Sequence, residues 1–253
     1  MWSGEIRFAV WQLVLKDYRI RYRNMSLGIF WSLLNPLVMM TVYTFVLTRI
    51  FVDPRPAFPV FLMCGLIPVS FFNFAWISGT TSLIDNAALI KKVPIPREVV
   101  PVASVLSNAL HLFIQLGLLI VLALLFGKYP NRYWLLIPPV WALFVCFLCG
   151  ISMITAPLNV YVRDTRYVVE SLNTVMIWLV PVFYSFDRIP EKYHYIYYYN
   201  PVSALTMAMR NIVLDERAPA SSLIEKFAIV SLASPVIGYF FFQRLKGRFY
   251  NHL

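Results

Sequence analysis

Four stretches of the chain, 24–48, 56–84, 99–127 and 133–162, contain no Asp, Glu, Lys or Arg. Each exceeds the roughly 20 helical residues that cross the hydrocarbon core of a bilayer. A water-soluble domain has no use for four such runs, because it must present charge to solvent every turn or two. Apolar residues supply 60% of the 253 and charged residues only 13%, far from the globular norm of about half and a quarter. Two weaker runs follow, 167–186 interrupted by Glu170 and 227–243. A further apolar stretch, 193–209, carries five tyrosines and an Asn200-Pro201 break. It is too aromatic and too interrupted to face lipid, and reads as a re-entrant or interfacial hairpin.

The expected fold is therefore all-α and integral to the membrane, one domain over 1–253 with six transmembrane helices. The spans are assigned to 24–50, 57–84, 99–127, 133–160, 167–186 and 225–244. An interface helix covers 1–23, a cytoplasmic helix lies within 85–98, and outer helices fill 187–215.

Orientation comes from the junction at Lys16–Pro36, where Lys16, Arg19, Arg21 and Arg23 abut the first charge-free run. With six crossings and the N-terminus inside, the inner pieces hold these four together with Arg7, Lys91, Lys92, Arg97, Arg163, Arg166, Arg244, Lys246 and Arg248. That is 13 of the 22 cations, and Lys and Arg in short loops concentrate on the cytoplasmic side. The same placement removes nucleic acid as a partner, since the net charge of +10 sits at the ends of apolar runs. Ahead of the first span, Glu5, Gln12, Lys16, Arg19 and Arg23 share an arc at 100° per residue, with Trp2, Ile6, Ala9 and Leu13 elsewhere. This is either an amphipathic helix lying in the interface or a plain cationic anchor.

Ionisable groups inside spans are costly and are kept for function. The span cores hold only His111 and the terminal Glu170, and His111 is expected to bond a neighbouring helix. No paired carboxylates, His cluster or nucleophile elbow is present, so no catalytic and no metal residues are assigned. Cys146 and Cys149 have redox or metal spacing, but with Cys64 they fall in apolar runs and read as small buried thiols. There is no phosphate-cradling loop either: Gly127-Lys128 is followed by Tyr129, and Leu122 stands where its first glycine would be. If ATP drives this chain, MgATP must bind another polypeptide that docks on the inner face.

The stretch Asp85–Pro101 is the candidate docking surface. Asp85 or Asn86 can cap a short helix through Leu89, Ile90, Lys91 and Lys92. Pro94 ends that helix and Pro96 stiffens the return ahead of Arg97. Exposed Leu89 and Ile90 would suit a partner's groove, or the loop is simply a cytoplasmic turn with its usual cations. At the outer face, Tyr193, Tyr195, Tyr197, Tyr198 and Tyr199 form an aromatic belt or a surface on which sugar rings stack. Phe71, Phe72, Phe74 and Trp76 line a conduit or face lipid.

Taken together the motifs resemble the membrane subunit of bacterial ATP-binding-cassette polysaccharide exporters, the O-antigen, capsule and teichoic-acid permeases. The carrying residues are Arg19-Ile20-Arg21-Tyr22-Arg23 with Leu27-Gly28 and Trp31 through Pro36; Leu89 through Lys92 and Pro96-Arg97-Glu98; Leu158 through Asp164; and Tyr199-Asn200-Pro201 with Arg210. The resemblance implies a homodimer in the bacterial cytoplasmic (inner) membrane with both termini inside. It also implies two copies of a separate ATPase and a lipid-linked polysaccharide as substrate. On it, Asp85, Asn86, Leu89, Ile90, Lys91, Lys92, Pro96 and Arg97 receive the ATPase stroke. Arg19, Arg21 and Arg23 meet a lipid diphosphate, and Phe71, Phe72, Trp76, Tyr193, Tyr197 and Tyr198 are channel or gate aromatics. The competing readings are an ATP-driven drug or lipid permease of the same plan, a secondary transporter or channel without an ATPase, and a non-transporting membrane scaffold.

Overall fold

A computed structural model describes residues 8, 10–17, 19, 30–50, 55–92 and 96–247. These are helices and connecting turns, with no strand among the described residues. Helix α1 (Phe30–Phe45) runs on into a π-helical turn, Val46–Ile50, and α2 spans Phe58–Asp85. A short α3 (Ala87–Lys92) precedes α4 (Val99–Leu125). A 3-10 turn at Arg132–Leu136 leads into α5 (Ile137–Tyr161), and α6 covers Thr165–Leu179. After two 3-10 turns come α7 (His194–Tyr199), α8 (Pro201–Val213) and α9 (Ser221–Leu245).

Among the described residues, five helices are long and apolar enough to cross a membrane: Leu33–Ile50, Phe58–Asp85, Val99–Leu125, Arg132–Tyr161 and Ser221–Leu245. The segment expected as a crossing at 167–186 departs from this pattern. Its helix, α6, has 15 residues, about 22 Å at 1.5 Å per residue, short of a hydrocarbon core of about 30 Å. Pro181 has no amide to donate, and Val180 is already extended, so the helix stops at Leu179.

Helix α2 is the axis of the bundle. Its 28 residues extend about 42 Å, and it packs against α1, α4, α5, α6 and α8. A helix apolar on all sides belongs inside a bundle, and most of α2 is buried, from Phe58 to Leu83. Helix α1 is at the edge, with Val38, Met39, Val42 and Phe45 exposed.

The most extensive helix pair is α5 with α9, and small residues make it so. A Cβ on Gly150 would lie under 3.0 Å from the backbone of Ser234 and Pro235, and one on Gly238 would overlap the Gly150 carbonyl. Close backbone approach through small residues is how helices associate without a hydrophobic driving force between them. Ser234 Oγ adds a 3.0 Å bond to the Phe147 carbonyl.

The interior divides into a large cluster built on α2, α4, α5 and α8 and a small one at one end. The small cluster joins Leu13 and Val14 to Leu83, Val99, Val100, Ala103, Ala156, Val160 and Phe242. The N-terminal segment thus packs a face of Leu13 and Val14 onto the bundle. It leaves Phe8, Trp11, Gln12 and Arg19 exposed.

Candidate functional sites at the two ends of the bundle

The end carrying α3 also carries the N-terminal segment, the turn after α5 and the end of α9. Asn86 organises it. This residue closes α2, and its carbonyl accepts the Leu89 and Ile90 amides at 3.0 Å, so it is also the first residue of the α3 turn. Its side chain is buried, donates to the Ser82 carbonyl at 2.9 Å and accepts a hydrogen bond from Lys16 Nζ. Next to Lys16, Asp17 accepts a 3.4 Å bond from Ser104 Oγ of α4. A cation of the basic junction is therefore tied to the root of α3.

The expectation that Leu89 and Ile90 are exposed is corrected here. Both are half-buried against the small cluster, because a two-turn helix this close to the bundle covers its apolar side on the nearest apolar surface. Among the described residues of the loop, Asp85, Ala88, Lys91 and Lys92 are exposed. Asp85 accepts a 2.6 Å bond from Thr81 on α2. Arg97 reaches the Lys246 carbonyl at 3.5 Å, and Pro96 is half-buried beside it. Arg19 is exposed, whereas Arg21 and Arg23 lie outside the described residues.

The aromatic residues expected along a conduit fall into two groups. Phe71 (1% exposed), Phe72 (2%) and Trp76 are buried within the bundle. Phe71 meets Trp141 edge-on, and Phe72 meets Trp76, Phe144 and Phe147. Their rings fill the core between α2 and α5. Their spacing alone could not separate a packed face from a channel wall. Phe74 is exposed and meets the ring of His111 edge-on at 6.1 Å. His111 also stands 3.2 Å from Gln115, one turn along its own helix. The three cysteines are free thiols, Cys64 buried and the other two half-buried.

The opposite end is built around the interruption of α6. Backbone leaving a helix inside a membrane protein must find partners within the protein, and three side chains provide them. Asn200 Nδ2 donates to the Leu179 carbonyl at 3.3 Å, while its Oδ1 accepts the Val202 and Ser203 amides and so caps α8, where Pro201 starts the helix. Tyr184 donates its hydroxyl to the Trp178 carbonyl at 2.9 Å. Arg210 donates to the Val182 carbonyl at 2.8 Å, to Tyr184 at 3.3 Å and to Phe61 at 3.4 Å. Only 7% of Arg210 is exposed, and its guanidinium lies 3.5 Å from the centre of the Phe61 ring.

Every residue of α8 except Asn211 is buried, so α8 is enclosed by its neighbours rather than lying on a surface. Of the tyrosines beside it, Tyr193 is exposed and Tyr197 and Tyr198 are half-buried. Tyr197 and Tyr184 hydroxyls stand 3.0 Å apart, and Tyr198 packs on Phe186. Arg210 lies in the segment expected as outer helices, 187–215, and its burial is not among the expectations drawn from sequence. The available signal was a lone cation in a helix otherwise made of Ser, Thr, Asn, Ala and apolar residues.

Comparison with known proteins adds the family. The membrane domain of ABC-2 type transporters matches residues 9–214. The chain belongs to the ABC-2 transporter membrane family. As an ABC-2 chain it is a transporter membrane subunit, a class without a nucleotide-binding domain of its own. It is 31% identical over 235 residues to the O-antigen export system permease protein RfbA of Klebsiella pneumoniae, covering 92% of this chain and 90% of that one. The permease of the same name in Myxococcus xanthus is 29% identical over 222 residues, or 87% and 85% of the two chains. The polysialic acid transport protein KpsM of Escherichia coli is 22% identical over 239 residues, with 92% and 91% covered.

Proposed function

We propose that the chain is the transmembrane permease subunit of an ATP-driven exporter that carries a lipid-linked polysaccharide from the cytoplasm across the bacterial inner membrane. The observation that carries this is end-to-end similarity to ABC-2 permeases named for O-antigen and polysialic acid export, at up to 31% identity over 92% of the chain. A drug permease of the same plan has no such support, and neither does a secondary transporter.

On this reading MgATP binds a separate ATPase, present in two copies, which docks at the α3 end. Ala88, Lys91 and Lys92 are its contact surface. Asp85, Asn86, Leu89, Ile90, Pro96 and Arg97 transmit its stroke to α2, α4 and, through Lys16, to the N-terminal segment. Both termini then lie in the cytoplasm, and Phe8 and Trp11 rest at the inner leaflet, where amphipathic side chains are stable. Arg19, Arg21 and Arg23 form the collar that admits the lipid diphosphate, as cations paired with phosphate do. Two copies of the chain meet through the exposed apolar faces of α1 and of α6, the latter bearing Tyr167, Val168, Leu172, Val175 and Trp178. The α6 segment completes a sixth crossing through its non-helical continuation to Ser185, and α7 with α8 forms a re-entrant outer gate bearing Tyr193, Tyr197 and Tyr198.

The docking role is tested with Ala88→Trp, which adds bulk at an exposed position and spares the small cluster. Loss of ATPase copurification and of export, with an unchanged melting temperature, is the expected result. Unchanged copurification would overturn the assignment of α3.

A further inference from the structure

Beside α8, at the end remote from α3, lies a cavity of about 590 Å³, within the roughly 300–1,000 Å³ of small-molecule sites. Arg210 forms part of its floor, Asp187, Asn211, Asp215 and Arg217 supply polar groups, and Tyr198 and Met207 give an apolar wall. We infer that this cavity is a binding site for a neutral saccharide unit, formed by two turns of the outer segment against α8. The inference rests on the export reading and adds to it a station on the exit side.

Charge decides the ligand class. Two carboxylates face two guanidiniums, so neither an anion nor a cation is favoured overall. Both cations are also committed: Arg217 to Asp215 at 3.0 Å and to Asn211 at 3.3 Å, Arg210 to backbone carbonyls. A phosphate or carboxylate ligand would lie against the Asp187 and Asp215 carboxylates as well. Hydroxyl groups suit these carboxylates instead, since carboxylate and amide oxygens with lone pairs to spare accept O–H donors directly. Asp187 is positioned by a 3.0 Å bond from Ser185 Oγ, so the polar groups are held before any ligand arrives, which lowers the ordering cost of binding. The apolar wall suits the C–H face of a pyranose. One sugar held by a few exchangeable hydrogen bonds binds weakly enough to move on.

The test uses the full chain in cells that export their own polysaccharide. The photo-reactive amino acid p-benzoylphenylalanine is placed at Asp187 or at Tyr198, and as a control at Leu135, which is 81% exposed outside the cavity. After irradiation the expected result is polysaccharide covalently attached at 187 and 198 but not at 135. Asp187→Ala with Asn211→Ala should lower the adduct at 198 about tenfold, the effect of losing one or two net hydrogen bonds. Export that continues without adducts at 187 or 198, equal labelling at 135, or phospholipid in place of glycan would overturn the site and leave the export reading intact. Export that persists when the chain is deleted would remove both.

Discussion

Arg210→Lys is the substitution whose outcome follows most directly from the geometry. The guanidinium reaches three carbonyls in three directions, Val182 at 2.8 Å, Tyr184 at 3.3 Å and Phe61 at 3.4 Å. An ammonium at the end of a flexible stem is a point donor, so it satisfies one carbonyl and leaves the fork unmade. Phe61 belongs to α2 and retains its helical hydrogen bond, so its carbonyl is lost at little cost. Val182 and Tyr184 sit where α6 has ended, and one of them is orphaned. A buried unsatisfied carbonyl costs about 1–3 kcal/mol. The desolvation of the buried cation does not fall, because lysine carries the same charge on a more strongly hydrated group. The shorter, more strongly hydrated group also gives up stacking on Phe61 worth about 1 kcal/mol. The sum is a loss of about 2–4 kcal/mol, or roughly 4–16 °C in melting temperature for a chain of this length. Thermal unfolding in detergent measures the loss, and hydrogen exchange locates it in 180–186. A melting temperature within 1 °C of wild type on the order of its measurement error, with unchanged exchange there, would refute Arg210 as the residue that holds the interruption.

Gly150→Ala should destabilise by about 1–3 kcal/mol, as overpacking does, because its new Cβ meets the backbone of Ser234 and Pro235 and no rotamer change relieves it. Gly117→Ala is the control: nothing lies within 4 Å of its Cβ position, so the same unfolding assay should find it neutral or slightly stabilised by helix propensity. Asn86→Ala removes the acceptor of Lys16 and the donor to Ser82; a loss of about 1–3 kcal/mol is expected, together with weaker ATPase copurification. Leu89→Asp with Ile90→Asp should lower the melting temperature as well as export, whereas Lys91→Glu with Lys92→Glu should lower ATPase association and export at an unchanged melting temperature. A melting temperature equally affected in both pairs would remove the distinction between buried and exposed sides of α3.

The long charge-free runs were legible because lipid imposes a simple rule on composition, and the helices at Phe58–Asp85, Val99–Leu125 and Ser221–Leu245 lie close to the expected spans. The Asn200-Pro201 break was legible for the same reason: proline and asparagine act locally. What sequence could not give was which apolar face meets what. Phe72 and Phe74 are two positions apart in a helix, yet one is buried and the other exposed, and hydropathy treats them alike. The side of α3 that Leu89 and Ile90 present was hidden likewise, since it depends on Leu13 and Phe242, far away in the chain. The pairing of Gly150 with Ser234 and Gly238 is a third example, visible only once two helices are brought together.

Reconstitution tests the central assignment most directly. The purified chain and its partner ATPase are placed in vesicles with a lipid-linked polysaccharide, and the polymer crossing the membrane is counted. The expected result is movement that requires MgATP and both subunits and stops when Ala88→Trp uncouples them. Movement without ATP or without the second subunit, or transport of a small amphiphile with the polysaccharide left behind, would contradict it.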